Sequence, residues 1–327
     1  MKNRHNWPRL GALPALALAL PIAAPAMAEE SFPRAPIQLI APFAAGGGFD
    51  SVGRVISDQL SKILGVSVVV LNKPGAGGLV GGAYVAKARP DGYTLLLAGP
   101  ATLAIGPNLF SNASYSPTTS FEPITYIGGT AYFLAARPDV AKDVKTLIAK
   151  AKAAPGKLAY ASPGTGSNLN LSMELFKLKT GTDIMHVPYP GSGPAIVDVL
   201  AGRVQMTLAP EIVLPHIRSG QLAGLAVSTS ARSPLMPDIP TFAEAGVQGV
   251  ESSGWYGVLA PGGTPKPVID KLNAAVNQML QSQPFKEQAD KLGLEIGGGT
   301  PEQLGQRIDE ENRKWKTVID VAGIKAQ

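Results

Sequence analysis

The chain has no cysteine in 327 residues, so disulfides, thiolate nucleophiles and cysteine-held metals are excluded from the outset. Histidine is nearly as scarce, with only His5, His186 and His216. No HExxH, GxSxG or GxxxxGK[ST] occurs, which removes the sequence signals of zinc hydrolases, triad hydrolases and phosphate-loop enzymes. No apolar run reaches the roughly 20 residues needed to span a bilayer; the longest, Leu10 to about Ala24, is broken by Pro14 and Pro21. A charge excess is also missing once the leader is set aside. The net +5 includes Lys2, Arg4 and Arg9, and without them 26 basic residues face 24 acidic ones. With no basic cluster interleaved with aromatics, nucleic-acid binding has no support.

Three basic residues, the short apolar run and Ala26-Met27-Ala28 form the pattern of an export leader cut after Ala28. The expected mature chain begins near Glu29 and is long enough for two domains of ordinary size.

From Pro36 onward the pattern predicts an α/β protein. Ile37 to Ala41 is an apolar strand, followed by PFAAGGGFD and then a helix in which Val52, Val55, Ile56, Leu60, Ile63 and Leu64 share one face. Asp50 or Ser51 is the expected N-cap, and Val66 to Leu71 the next strand. This is a βαβ unit of a parallel sheet. A short helix near Ala83 to Ala88 and a strand Tyr93 to Ala98 continue it. A second block begins near Gly128, with strands Ala131–Ala136, Lys157–Ala161, Val204–Leu208 and Leu222–Val227 and helices Val144–Ala153, Leu169–Lys179 and Ala195–Ala201. The Pro- and Gly-rich segment Arg232–Val247 reads as a crossing region. After it come a strand, Trp255–Ala260, and two amphipathic helices, Lys266–Gln281 and Pro301–Ala322.

Two glycine-rich loops stand between strand and helix: PFAAGGGFD in the first block and Ser162 to Asn168 in the second. Glycine allows the backbone to turn sharply and aim N–H groups outward at the helix start, a geometry that receives an anion; a tight turn without a ligand is the plainer reading. Ligands in open α/β sheets lie beyond the carboxyl ends of the strands, so the two loops can share one cleft. A catalytic site has less to stand on. His186 beside Val187 and Pro188 reads as a structural histidine, and Asp50 is explained by helix capping.

The motifs PIQLIAPFAAGGGFDSVGRVI, VVVLNKPGAGGLVGGAYVAKARPDGYTLL, HVPYPGSGPAIVDVLAGRV, RSPLMPDIPTFAEAGV and WYGVLAPGGTPKPVIDKLN run in order through nearly the whole chain. In them the sequence resembles the substrate-binding receptors of tripartite tricarboxylate transporters, the Bug family. The resemblance implies a type II periplasmic-binding-protein fold, with two α/β lobes and a ligand cleft between them. The expected division is residues 29–129 with 251–327 against 130–250. It implies a periplasmic receptor, working as a monomer without metal or cofactor, that closes on a small carboxylate and delivers it to a membrane permease. A sensor subunit reporting to a signalling partner is the alternative. Carried over by position, the carboxylate is expected at Phe43, Ala44, Gly46, Gly47, Gly48 and Asp50, and at Thr165, Gly166, Ser167 and Asn168, with ordered water. Tyr189, Pro190 and Gly191 are expected at the border. Three positions depart from the family pattern: Phe49 for a small or hydroxyl residue, Asn170 for His, and Pro190 for Lys. Losing a cation and gaining a ring predicts an aromatic mono- or dicarboxylate in place of a citrate-like polyanion.

Overall fold

The computed structural model describes residues 1, 32–110 and 113–325. The expected leader and its cleavage site lie outside the described residues. Residues 33–327 form a single compact unit.

Eleven strands are described: β1 (Ile37–Ala41), β2 (Val68–Asn72), β3 (Thr94–Ala98), β4 (Phe121–Thr130), β5 (Phe133–Ala136), β6 (Ala159–Ser162), β7 (Met185–Pro188), β8 (Met206–Ala209), β9 (Ala223–Val227), β10 (Gly254–Pro261) and β11 (Glu295–Ile296). They make two mixed sheets, a six-stranded one in the order β11-β4-β10-β3-β1-β2 and a five-stranded one in the order β7-β6-β8-β5-β9. The helices are α1 (Gly48–Leu64), α2 (Leu79–Ala86), α3 (Gly106–Leu109), α4 (Val144–Ala153), α5 (Asn168–Thr180), α6 (Ser192–Leu200), α7 (Leu214–Arg218), α8 (Lys266–Gln281), α9 (Gln283–Lys291) and α10 (Pro301–Ala322).

Both faces of the five-stranded sheet are covered. Along β5, Leu134 and Ala136 enter the core with Phe176 and Phe242, while Phe133 and Ala135 enter the opposite one with Ile196 and Val213. Period-2 alternation between two buried faces turns the strand into an unbroken apolar run, which is why sequence reading finds it. The C-terminal helix α10 ties the two halves together. Fully buried Trp315, with Val318 and Ile319, packs against Ala104 and Ile105 after β3 and against Leu171 and Leu175 of α5.

Several expectations are corrected. Helix α1 starts at Gly48 with Gly47 as N-cap, so neither Asp50 nor Ser51 caps it. Asp50 sits inside the first turn and reaches back to the loop. The segment Arg232–Val247 is not the crossing. It folds onto the five-stranded sheet, where Val227 N–H donates to Pro240 O and Phe242 N–H to Val227 O, and where Ile239 and Phe242 are buried. The chain passes between sheets at 131–132 and again around Ser228 and Ser252. There Ser228 N–H donates to Tyr132 O at 2.9 Å, Tyr132 N–H to Ser228 Oγ at 3.1 Å, Ser252 N–H to Ser228 O at 3.0 Å, and Ser228 Oγ to Ser252 O. Strands β4, β7 and β11 and helices α3, α7 and α9 were not foreseen. Pro123 and the pair Gly128-Gly129 interrupt the apolar run of β4, whose pairing with β10 has two register shifts. Pro123 is tolerated because β11 pairs only with Gly128 and Gly129 and leaves that stretch of edge open.

Candidate functional site

A cleft of about 810 Å³ is walled by both sheets. The chain reaches it after β1 at Phe43 and Gly46–Phe49, after β3 at Pro100, after β4 at Tyr132, after β6 at Pro163 and Ser167–Leu169, after β7 at Gly191, and after β8 at Pro210 and Glu211. Six strand ends thus converge on one hollow, as open α/β sheets direct them to do.

The first loop is braced from behind. Asn72 Nδ2 donates to Phe43 O at 3.0 Å, and Gly46 N–H donates to Asp50 Oδ2 at 3.0 Å. The same oxygen accepts from Arg54 Nε at 3.0 Å. These donors, Arg54 first and Gly46 second, hold the Asp50 carboxyl below the usual carboxylate range. Asp50 is only 4 % exposed, while its partner Arg54 is largely in solvent. Gly46 takes φ +83°, a left-handed turn that glycine makes without strain. No side chain caps α1, so its first-turn N–H groups have no acceptor within the helix, and Gly48, Phe49 and Ser51 of that turn line the cleft. An aromatic wall stands beside them. Phe49 packs on Phe43 with centroids 4.7 Å apart and edge-on to Tyr256 at 4.8 Å, and burial pushes the Tyr256 hydroxyl up to about 12. A Cβ at Gly48 would lie 2.9 Å from that hydroxyl, so only glycine lets the loop approach it this closely.

The second loop is built differently. Ser167 caps α5 by accepting from Asn170 N–H, and Gly166 N–H donates to Asn170 Oδ1 at 2.9 Å. Asn170, 2 % exposed, spends its Nδ2 on Tyr160 OH at 2.6 Å, and Tyr160 OH donates to Glu174 at 2.6 Å. Beneath the loop, Ser162 Oγ and His186 Nε2 lie 2.7 Å apart, and the His186 ring stacks on Tyr160. Burial holds the His186 pKa below its ordinary value. Asn168 reaches forward instead, donating from Nδ2 to Tyr132 OH at 2.7 Å and to Ser253 O at 3.1 Å, which joins this loop to the crossing strands. Its Oδ1 is buried without a partner. A third edge comes from α6, whose N-cap Gly191 has φ +131° and no side-chain cap.

Of the residues singled out from the sequence, Phe43, Gly46, Gly47, Gly48, Phe49, Ser167, Asn168 and Gly191 line the cleft. Ala44, Asp50, Thr165, Gly166, Asn170, Tyr189 and Pro190 do not. Asp50 and Asn170 act behind the loops, Gly166 is covered by Leu109, and Tyr189 donates its hydroxyl to Asp198 at 2.7 Å. Tyr132, Tyr256, Glu211, Leu292 and Leu294 line the cleft and were missed. The strand-end rule would have found Glu211, which directly follows Pro210 after β8.

Comparison with known proteins agrees with this architecture. The chain is 40 % identical over 307 residues to Protein BugT of Bordetella pertussis, covering 93 % of this chain and 94 % of that one. Among solved structures it is similar to the periplasmic binding protein BugD, with 35 % identity, a TM-score of 0.73 and coverage of 90 % and 100 %. It is also similar to R. palustris Rpa4515 with adipate, with 35 % identity, a TM-score of 0.76 and coverage of 90 % and 99 %. The fold is the type II periplasmic-binding fold. Residues 52–324 match the model of the tripartite tricarboxylate transporter family receptor, and with two sheets meeting over a glycine-lined cleft, the chain belongs to that family.

Proposed function

We propose that this protein is an exported receptor that captures a small organic acid in the cleft between its two sheets, without altering it, and passes it to a tripartite tricarboxylate-type permease. The observation that carries the reading is the uncapped start of α1, where backbone donors face a hollow reached by strand ends of both sheets. A carboxylate there gains hydrogen bonds worth about 1.5–3 kcal/mol each, and a few of them reach micromolar affinity, about 8 kcal/mol. The Phe43, Phe49 and Tyr256 rings favour an acid with an aromatic or long apolar body. Two neighbours that the chain resembles were solved with adipate and with malate. Among the described residues, those within 29–129 and 251–327 form one lobe and those within 130–250 the other, bending where Tyr132, Ser228 and Ser252 are linked by hydrogen bonds.

The Ser162–His186 pair does not suggest hydrolysis. Ser162 is 1 % exposed and is tied to Gly164, and the nearby Glu174 bonds Tyr160 rather than the imidazole. A thermal-shift screen with benzoate, phenylacetate, adipate, 6-aminohexanoate and citrate tests the reading. An acid at 100 times its Kd adds about 2.7 kcal/mol, and small-angle scattering then records compaction. Absence of any shift across the panel, or turnover of an ester or amide by the pure protein, refutes it.

A further inference from the structure

Glu211 is the sole Asp, Glu, Lys, Arg or His side chain lining the cleft among the described residues. It leaves the five-stranded sheet after β8, and its Cγ lies 3.4 Å from where a side chain at Gly293 would begin, in the turn between α9 and β11 on the other half. Leu292 and Leu294, on either side of that turn, also line the hollow. The Glu211 side chain therefore lines the cleft beside a turn of the other half. Its charge is felt at Tyr256 and Tyr132, and Tyr256 is the residue whose hydroxyl touches the Gly48 approach. No lysine, arginine or histidine pairs with Glu211 among the described residues, and surrounding protein raises its carboxyl above the usual range although the side chain is open to solvent.

We propose that Glu211 is a selectivity residue: the ligand is an acid that presents its carboxylate to the first glycine loop and a cationic group, such as an ammonium, to Glu211, and diacids are disfavoured. This rests on the organic-acid reading above. The physics is simple. The cleft provides backbone donors for one anion and no side-chain cation for a second, so a distal carboxylate would meet the one fixed negative charge in the hollow. A distal ammonium would meet its missing partner, in a partly shielded space where charges interact more strongly than in water.

Length-matched pairs separate the two cases. Calorimetry of the intact protein is run with 6-aminohexanoate against adipate and with 4-(aminomethyl)benzoate against terephthalate, with hexanoate and 4-methylbenzoate as neutral-ended acids. The wild type is expected to bind the amino acid of a pair at least tenfold more tightly than the diacid. In Glu211→Gln that ratio shrinks to within threefold, and in Glu211→Lys it reverses, with melting temperatures recorded for each variant to confirm folding. A wild type that binds the diacid as well as its amino counterpart overturns the proposal, as does a ratio that Glu211→Gln leaves unchanged. Should the neutral-ended acids bind in either of those cases, the organic-acid reading survives and the role of Glu211 alone fails. Should none of the six compounds bind at millimolar concentration, both fall.

Discussion

Replacing Asn170 by Ala asks whether the second loop is shaped by a residue that never touches the ligand. The amide of Asn170 accepts from Gly166 N–H at 2.9 Å and donates to Tyr160 OH at 2.6 Å, in a position 2 % exposed to solvent. Truncation removes two neutral hydrogen bonds, about 0.5–1.5 kcal/mol each, and the partly buried N–H left unsatisfied puts the loss at the upper end of their sum, about 2–3 kcal/mol. Unfolding entropy near 2.1 cal/mol/K per residue gives roughly 0.6 kcal/mol/K for a chain of this size, so the melting temperature falls by about 3–5 °C. Binding weakens with it, because Gly166 is released from φ +77° and Ser167 and Asn168 lose their fixed place at the rim. Differential scanning fluorimetry measures the first effect and calorimetry the second. Full loss of binding with an unchanged melting temperature would refute this reasoning and put Asn170 on the ligand itself.

Gly254→Ala places a Cβ 2.5 Å from Thr130 Oγ1 and 2.8 Å from Tyr132 OH, at the point where β10 returns to the six-stranded sheet. It is expected to cost about 1–3 kcal/mol by overpacking and to reduce ligand-induced compaction in scattering; an unaltered urea midpoint and scattering profile contradict this. His186 supplies a pH dependence. Its folded pKa is depressed by burial below the ordinary value near 6.5, so its contribution to stability is present above pH 6.5 and is lost as pH falls through the folded pKa. Urea melts at pH 7.5 and 5 are expected to show a larger drop for the wild type than for His186→Gln, and equal drops in the two proteins contradict the assignment.

The parts of the fold legible from sequence are those with local punctuation. Helix α10 is bounded as expected because Thr300 and Gln303 form a capping box, Pro301 follows at the first position, and Gly323 closes the end in the left-handed region. Helix α4 is likewise marked by Asp143, which accepts from Thr146 N–H at 2.7 Å. Strand β4 had no such marks: its stability comes from Asn273, which donates to Ile124 O at 2.7 Å, and from pairing with β10, more than a hundred residues away. The glycine loops were legible because glycine itself is the signal. Tyr132, Tyr256 and Glu211 were not, since they enter the cleft only through the strand order of two sheets. Asn170 and Tyr189, expected on the cleft loops, do not line the cleft, because adjacency in sequence does not say which way a side chain turns.

The place of β10 between β3 and β4 has a consequence for biogenesis. Until residues 254–261 are available, β3 ends in an unpaired edge and β4 has no antiparallel neighbour, so the front part of the chain cannot close its own core. Closure of such long loops comes late and slows folding. A chain whose six-stranded sheet stays incomplete until its last quarter arrives is suited to the proposed export, in which it would thread through a narrow translocation pore and fold on the far side.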